Sequence, residues 1–266
     1  MGKLLVKSSA PDSEGRIQAI TPASAGWRCV GFEVRDLAPG QTLSGVTDGD
    51  REVLLVFVSG IGSVAAGPLH IPVVGGRLSP FDDAPFSVYL PPKTAYSITA
   101  STPVELALCS APATGKYPPR LIRAEDVEKL TRGTGTNTRF VRNILPETAD
   151  AESLLVVESV TPGGHWSSYP PHKHDKDDLP RESQLEETYY HRLSPPQGFA
   201  FQRVYTDDRR LDETMAVYDR DVVLVPEGYH PVAAPHGFDL YYLNVMAGPK
   251  RVWRFHNEPS HAFLVT

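Results

Sequence analysis

The stretch from Tyr169 to Asp175, YPPHKHD, sets two histidines, His172 and His174, one residue apart. In an extended strand the side chains at i and i+2 share a face, so both imidazoles project into whatever that face encloses. Two neutral imidazoles held side by side are the start of a metal site. Further groups can complete it. After the polar stretch from Asp175 to Gln184, which reads as a loop, Leu185 to Arg192 begins a strand. Pleat parity there groups Glu187, Tyr189 and His191 on one face and Glu186, Thr188, Tyr190 and Arg192 on the other. Later, Pro226-Glu227-Gly228-Tyr229-His230 places His230 after a turn fed by the apolar run Val222 to Val225. Three histidines and one carboxylate, His172, His174, Glu187 and His230, suit one divalent transition metal (Zn, Mn or Fe, with Co and Ni open) better than Mg or Ca. Glu187 is preferred as the carboxylate because it opens the apolar strand on the face of His191; Glu182 and Glu186 are its rivals.

The elements that must position these groups read as β-strands. Prolines and glycines punctuate short apolar runs, the pattern of an all-β chain. Strands are expected at Trp27 to Asp36, Glu52 to Ser59, Phe86 to Leu90, Ala95 to Thr99 and Val104 to Ser110. They resume at Arg139 to Ile144, Ser153 to Thr161, Glu187 to Leu193, Phe199 to Thr206, Asp221 to Val225 and Leu240 to Met246. Between the two sets, Ala124 to Leu130 carries early acidic residues and a late lysine, which predicts a short helix. The halves look like copies of one plan. Each has a strand ending in Pro-Gly (Pro39-Gly40; Pro162-Gly163), a strand opening on glutamate (Glu52; Glu187) and an apolar run ending in proline (Leu90-Pro91; Val225-Pro226). Two β-barrels in tandem explain this. The boundaries expected are 1–120 for a degenerate first barrel, 121–138 for a linker with a short helix, and 139–266 for a second barrel carrying the site. No histidine lies between Val46 and Arg51, where the second half has its pair, so the chemistry belongs to the second half.

Composition narrows the classes. The chain of 266 residues carries 26 basic and 32 acidic residues, a net charge of -6 and no basic block, which argues against a nucleic-acid surface. Cys29 and Cys109 are the two cysteines and form no C-x-x-C pair. No apolar run is long enough to span a bilayer. The reading is a soluble, cytoplasmic protein without a membrane or nucleic-acid partner.

The motifs also carry a resemblance. His-x-His, then glutamate, then Pro-x-Gly-x-His is similar to the two cupin motifs. More narrowly, HWSSYPPHKHD (165–175), LEETYYHR (185–192), QGFAFQRVYTDDR (197–209) and DVVLVPEGYHPVAAPHGFDLYYLNVMAGP (221–249) closely resemble the 5-deoxy-glucuronate isomerases of inositol catabolism. The dense match covers His165 to Pro249. The resemblance implies two tandem cupin (jelly-roll) domains and an aldose–ketose isomerisation of 5-deoxy-glucuronate to 2-deoxy-5-keto-gluconate. It puts the metal ligands on His172, His174, a glutamate of the LEE stretch and His230. The candidate bases are Glu186, His191, Tyr241 and Tyr242, and Arg203 is the candidate clamp for the substrate carboxylate, against a cross-strand ion pair. A homo-oligomer is expected from general cupin behaviour. The chain departs from the pattern where Glu187 stands 13 positions after His174, further than cupins usually allow, and where Arg220 replaces a usual glycine. Rival readings are an iron-dependent cupin dioxygenase, since the same ligands suit oxygen chemistry, and a sugar-binding cupin without turnover.

Overall fold

The structure, a computed structural model, describes residues 4–264. Short runs rich in Val, Leu and Ile form the strands, and the chain divides into two compact units. One comprises residues 8–128 with 143–156; the other comprises 4–7, 129–142 and 157–264. This division differs from the expected boundaries, because residues 143–156 belong to the first unit.

In the first unit a six-stranded sheet runs in the order Arg120–Ile122, Ser87–Leu90, Arg51–Ser59, Val104–Pro112, Gly31–Leu37, Arg16–Ile20. A four-stranded sheet, Thr42–Val46, Ala95–Ala100, Ile61–Ala66, Leu69–Gly75, shares its core. That core joins Val53, Leu55, Phe57, Leu90 and Leu106 of one sheet to Val64, Ile71 and Ile98 of the other. Burial of such side chains contributes about 1.5–3 kcal/mol each. A seven-stranded sheet, most of whose residues fall in the second unit, runs in the order Leu5–Val6, Val222–Val225, Glu186–Ser194, Asp239–Ala247, Leu155–Thr161, Arg139–Leu145, Glu128–Arg132. The second unit's four-stranded sheet is Trp166–Ser167, Val232–Ala233, Phe199–Tyr205, Asp212–Tyr218. Each unit therefore has the double-sheet layout of a jelly roll.

The expected helix at Ala124 to Leu130 is not formed. Ala124–Asp126 makes a single 3₁₀ turn, and Glu128–Arg132 continues as the edge strand of the seven-stranded sheet. A helix of two turns has little stability of its own, so pairing with a neighbouring strand overrides the local preference.

Strand register corrects the proposed repeat. Glu187 lies opposite Val225, the residue before Pro226, whereas Val53 lies opposite Leu90, the residue before Pro91. The first-unit counterpart of Glu187 is thus Val53, and Glu52 corresponds to Glu186 on the other face. Val53 packs in the apolar core. Glu52 is fully buried and accepts hydrogen bonds from Tyr89 Oη at 2.6 Å and from the amides of Glu152, Ser153 and Leu154 at 2.9, 2.7 and 2.7 Å. Glu52→Leu strips four donors of their acceptor, two of them, Tyr89 Oη and the Leu154 amide, in buried contacts. Each orphaned buried donor costs about 1–3 kcal/mol, so a loss of at least ~2 kcal/mol is expected in urea unfolding. A loss below ~1 kcal/mol would show that this carboxylate does not pin the 152–154 segment.

Candidate metal centre and its cavity

Three strand-borne or turn-borne groups converge inside the second unit. Glu187 sits on the strand Glu186–Ser194, His174 follows the short strand His172–Lys173, and His230 follows the Pro226–Gly228 turn. Ligand atoms of His174, Glu187 and His230 lie within 4.8 Å of one another, and all three residues are buried. The His172 ring is 4.8 Å from that of His230 and 6.4 Å from that of His174, so it borders the cluster and is half-buried.

The long gap between His174 and Glu187 is taken up by a hairpin. The stretch read as a loop forms the strands Asp175–Asp178 and Glu182–Gln184, paired antiparallel. At its base the Leu185 amide donates to the His174 carbonyl at 2.9 Å, which returns the chain to the site. Lys173, buried between the two histidines, holds this base together. Its Nζ donates to Asp175 Oδ1 at 2.8 Å and Glu182 Oε1 at 3.3 Å. Glu182 Oε1 also accepts the Asp175 amide at 2.8 Å, so Glu182 serves the hairpin and not the cluster. Asp175 Oδ2 in turn accepts the Gly228 amide at 2.8 Å, tying the first motif to the turn that carries His230. Gly228 has φ +86°, and a Cβ there would meet the Tyr205 carbonyl oxygen at 2.4 Å, so the turn requires glycine. Upstream, Arg220 takes φ +70°, the left-handed conformation that a glycine would supply, and its amide donates to the His191 carbonyl at 2.7 Å.

The tautomers follow from the backbone. His230 Nδ1 donates to the Gly228 carbonyl at 2.9 Å, leaving Nε2 with a lone pair. Burial, first, pushes the His230 pKa down to about 4, so the ring stays neutral. Its Nε2 is buried, makes no hydrogen bond, and lies 3.3 Å from Glu187 Oε2. A lone pair facing a carboxylate oxygen in a buried site is repulsive unless a cation lies between them. His174 Nδ1 lies 3.3 Å from the Leu185 carbonyl and its Nε2 3.1 Å from Glu187 Oε2. Burial alone would lower the His174 pKa, but the Glu187 carboxylate outweighs it and holds it above the usual value. Burial and the neighbouring His230, His174 and Arg139 hold His172 well below it. Imidazoles whose far nitrogens are fixed by backbone carbonyls, beside one carboxylate, form a donor set suited to a divalent transition metal.

A small open cavity adjoins the cluster and is lined by His172, Glu187, Tyr189, Tyr242, Asn244 and Arg139 among others. Antiparallel register aligns these groups: Tyr189 lies opposite Asn244 and His191 opposite Tyr242. Of the candidate bases, Tyr242 alone lines the cavity, with its hydroxyl hydrogen-bonded to Ser167. Glu186 points to the opposite face of its strand from Glu187. Tyr241 donates to Glu158 Oε2 at 2.8 Å, and Glu158 pairs with Arg142 at 2.8 Å, outside the cavity. His191 is fully buried, its Nε2 2.9 Å from Gln202 Oε1, and burial pushes its pKa down to about 4. Arg203 is not brought to the cavity. Its Nε and Nη2 each reach an oxygen of Asp212 at 2.7 Å on the outer face, a cross-strand ion pair with the guanidinium over Tyr205. Tyr189, whose hydroxyl lies 2.8 Å from Ser168 Oγ, lines the cavity on the face where strand parity puts it, whereas Arg132, Arg139, Ser159, Asn244 and Trp253 are lining groups that the sequence does not single out.

Two jelly-roll units in one chain, one with a His–Glu–His cluster, define a bicupin. An oxalate decarboxylase from Lactobacillus farciminis shares that fold, with a TM-score of 0.68 at 13% identity over 97% of this chain and 89% of that one. The chain belongs to the KduI/IolB family, which it matches over residues 4–264. It is 53% identical over 266 residues to a 5-deoxy-glucuronate isomerase of Geobacillus kaustophilus, covering 100% of this chain and 96% of that one. A crystal structure of an IolB-like protein from Salmonella typhimurium superposes with a TM-score of 0.96 at 52% identity, covering 99% of each chain. None of the described helices is long and apolar enough to cross a membrane.

The cluster sets the expected metal content of variants. Purified His174→Ala and Glu187→Ala should lose most bound transition metal by elemental analysis, whereas Glu186→Ala should keep the wild-type content. Equal loss in Glu186→Ala would place the carboxylate ligand elsewhere in the LEE stretch.

Proposed function

We propose that this protein is a metal-dependent aldose–ketose isomerase that converts 5-deoxy-glucuronate to 2-deoxy-5-keto-gluconate in inositol catabolism. The observation that carries the reading is the buried His174–Glu187–His230 cluster beside a cavity lined by Tyr189, Tyr242 and Arg139, in a chain about half identical to 5-deoxy-glucuronate isomerases over full length. His174, Glu187 and His230, with His172 at the border, would hold one divalent ion of the Zn, Mn or Fe type. Such an ion supplies Lewis acidity for the negative charge that the C1 and C2 oxygens develop.

The chain's own groups do the rest. The reaction takes a proton from C2 and delivers one to C1, and passes the O2 proton to O1, so no oxidant or reductant is consumed. Tyr242 is the candidate for the hydroxyl protons. It faces the cavity, and its hydrogen bond to Ser167 gives the phenol a second proton position. Tyr189 stays protonated, since burial and then the Glu187 charge hold its hydroxyl well above the ordinary value. It therefore acts as a hydrogen-bond donor to the substrate oxygens. Val141, Val157 and Trp253 line the remaining wall and limit water around the reacting carbons.

The test is turnover of 5-deoxy-glucuronate under strict anaerobiosis, followed by proton NMR in deuterium oxide. Full activity without oxygen, with product of unchanged oxidation level, is expected; a dependence on oxygen would replace the isomerase by the dioxygenase reading. Binding of the sugar acid without any product would point instead to a sensor. Tyr242→Phe should lower kcat by ~10²–10⁴-fold, the usual range for a lost general acid–base group, at unchanged metal content.

A further inference from the structure

The cavity ends, across the sheet from Glu187, in two arginines that no carboxylate neutralises. Arg139 opens the strand Arg139–Leu145 and Arg132 closes the adjoining strand Glu128–Arg132; both line the cavity. Nη1 of Arg139 donates to the carbonyls of Asn137 and Tyr169, each at 3.1 Å, which fixes the guanidinium from one side. Arg132 lies over the Trp253 ring, 5.5 Å from its centroid. Among the described residues neither forms an ion pair with an acid. Other arginines of the unit do: Arg142 is bound to Glu158, Arg192 to Asp219 and Arg203 to Asp212. Two like charges side by side in a half-buried wall are costly unless an anion completes them.

The placement suits a short acid. Three strand spacings, ~14 Å at the backbone, separate the strand of Glu187 from that of Arg139. Glu187 and Arg139 both line the cavity between these strands. Ser159 and Asn244 lie between them, on the intervening strands, as hydrogen-bonding partners for hydroxyls. We propose that Arg139, with Arg132 beside it, anchors the substrate carboxylate and so fixes which end of the chain meets the His–Glu cluster. This rests on the isomerase reading above. A guanidinium offers a carboxylate two parallel N–H donors, so the acid is held in one orientation and a neutral aldose is not.

The experiment compares 5-deoxy-glucuronate with its C6 primary amide on wild type, Arg139→Gln, Arg139→Lys and Arg203→Gln. Arg139→Gln should raise KM for the acid ~10–100-fold, change kcat less, and abolish the preference for acid over amide. Arg139→Lys should restore part of the affinity, and Arg203→Gln should match wild type. Calorimetry with the unreactive C1 alcohol of the same acid measures the anchor without turnover. Wild type should bind it, and Arg139→Gln should bind it more weakly by the same factor. An acid preference retained in a folded Arg139→Gln of normal metal content would overturn the proposal, as would no binding of the alcohol to wild type. If Arg139→Gln fails to fold, unchanged KM and acid preference in Arg139→Lys would overturn it instead. Binding that depends on Arg139 without turnover of the sugar would leave the anchor standing and remove the isomerase reading.

Discussion

A carboxylate buried between two imidazole nitrogens is the constraint on which the second unit depends. Glu187 Oε2 lies 3.1 Å from His174 Nε2 and 3.3 Å from His230 Nε2, with the three residues almost fully buried. Without a cation this arrangement leaves a lone pair opposed to a negative charge. Its maintenance therefore needs rigid backbone on every side. The pleat of the strand Glu186–Ser194 aims Glu187 inward, the Gly228 turn aims His230, and the hairpin base held by Lys173, Asp175 and Glu182 aims His174. The hydrogen bond from the Gly228 amide to Asp175 joins these supports and links the two motifs.

The first unit shows what the same architecture does without that constraint. Val53 stands where the second unit has Glu187, inside an apolar core that needs no ion. The neighbouring Glu52 faces the other way and spends its charge on backbone amides and Tyr89. A shift of one residue in strand register thus separates a carboxylate that organises a reactive cavity from one that fastens a connecting segment.

Most of the strands are legible in the sequence because prolines and glycines bound their apolar runs, and the inward set Glu187, Tyr189, His191 follows from parity alone. The expected helix at Ala124 to Leu130 is misread because its local propensity is weak against strand pairing. The hairpin within Asp175 to Gln184 hides because its residues are polar on both faces. Arg203 misleads for a different reason. In its strand the exposed residues are Phe199 and Phe201 while Gln202 is buried, so the polarity pattern is inverted and the outer face looks like the inner one. Arg139 carries no such signal. Its significance lies in the missing acid partner, which depends on neighbours distant in sequence.

These observations describe a bicupin of the KduI/IolB family in which the second barrel presents a metal-type donor set to a small, cationic-walled cavity. The most direct test of that account is a titration of metal-stripped protein with Zn, Mn or Fe(II) while isomerisation of 5-deoxy-glucuronate is followed without oxygen. The account predicts no turnover in the stripped protein and a linear return of activity that saturates at one ion per chain. Full turnover by protein verified to be free of metal would contradict it.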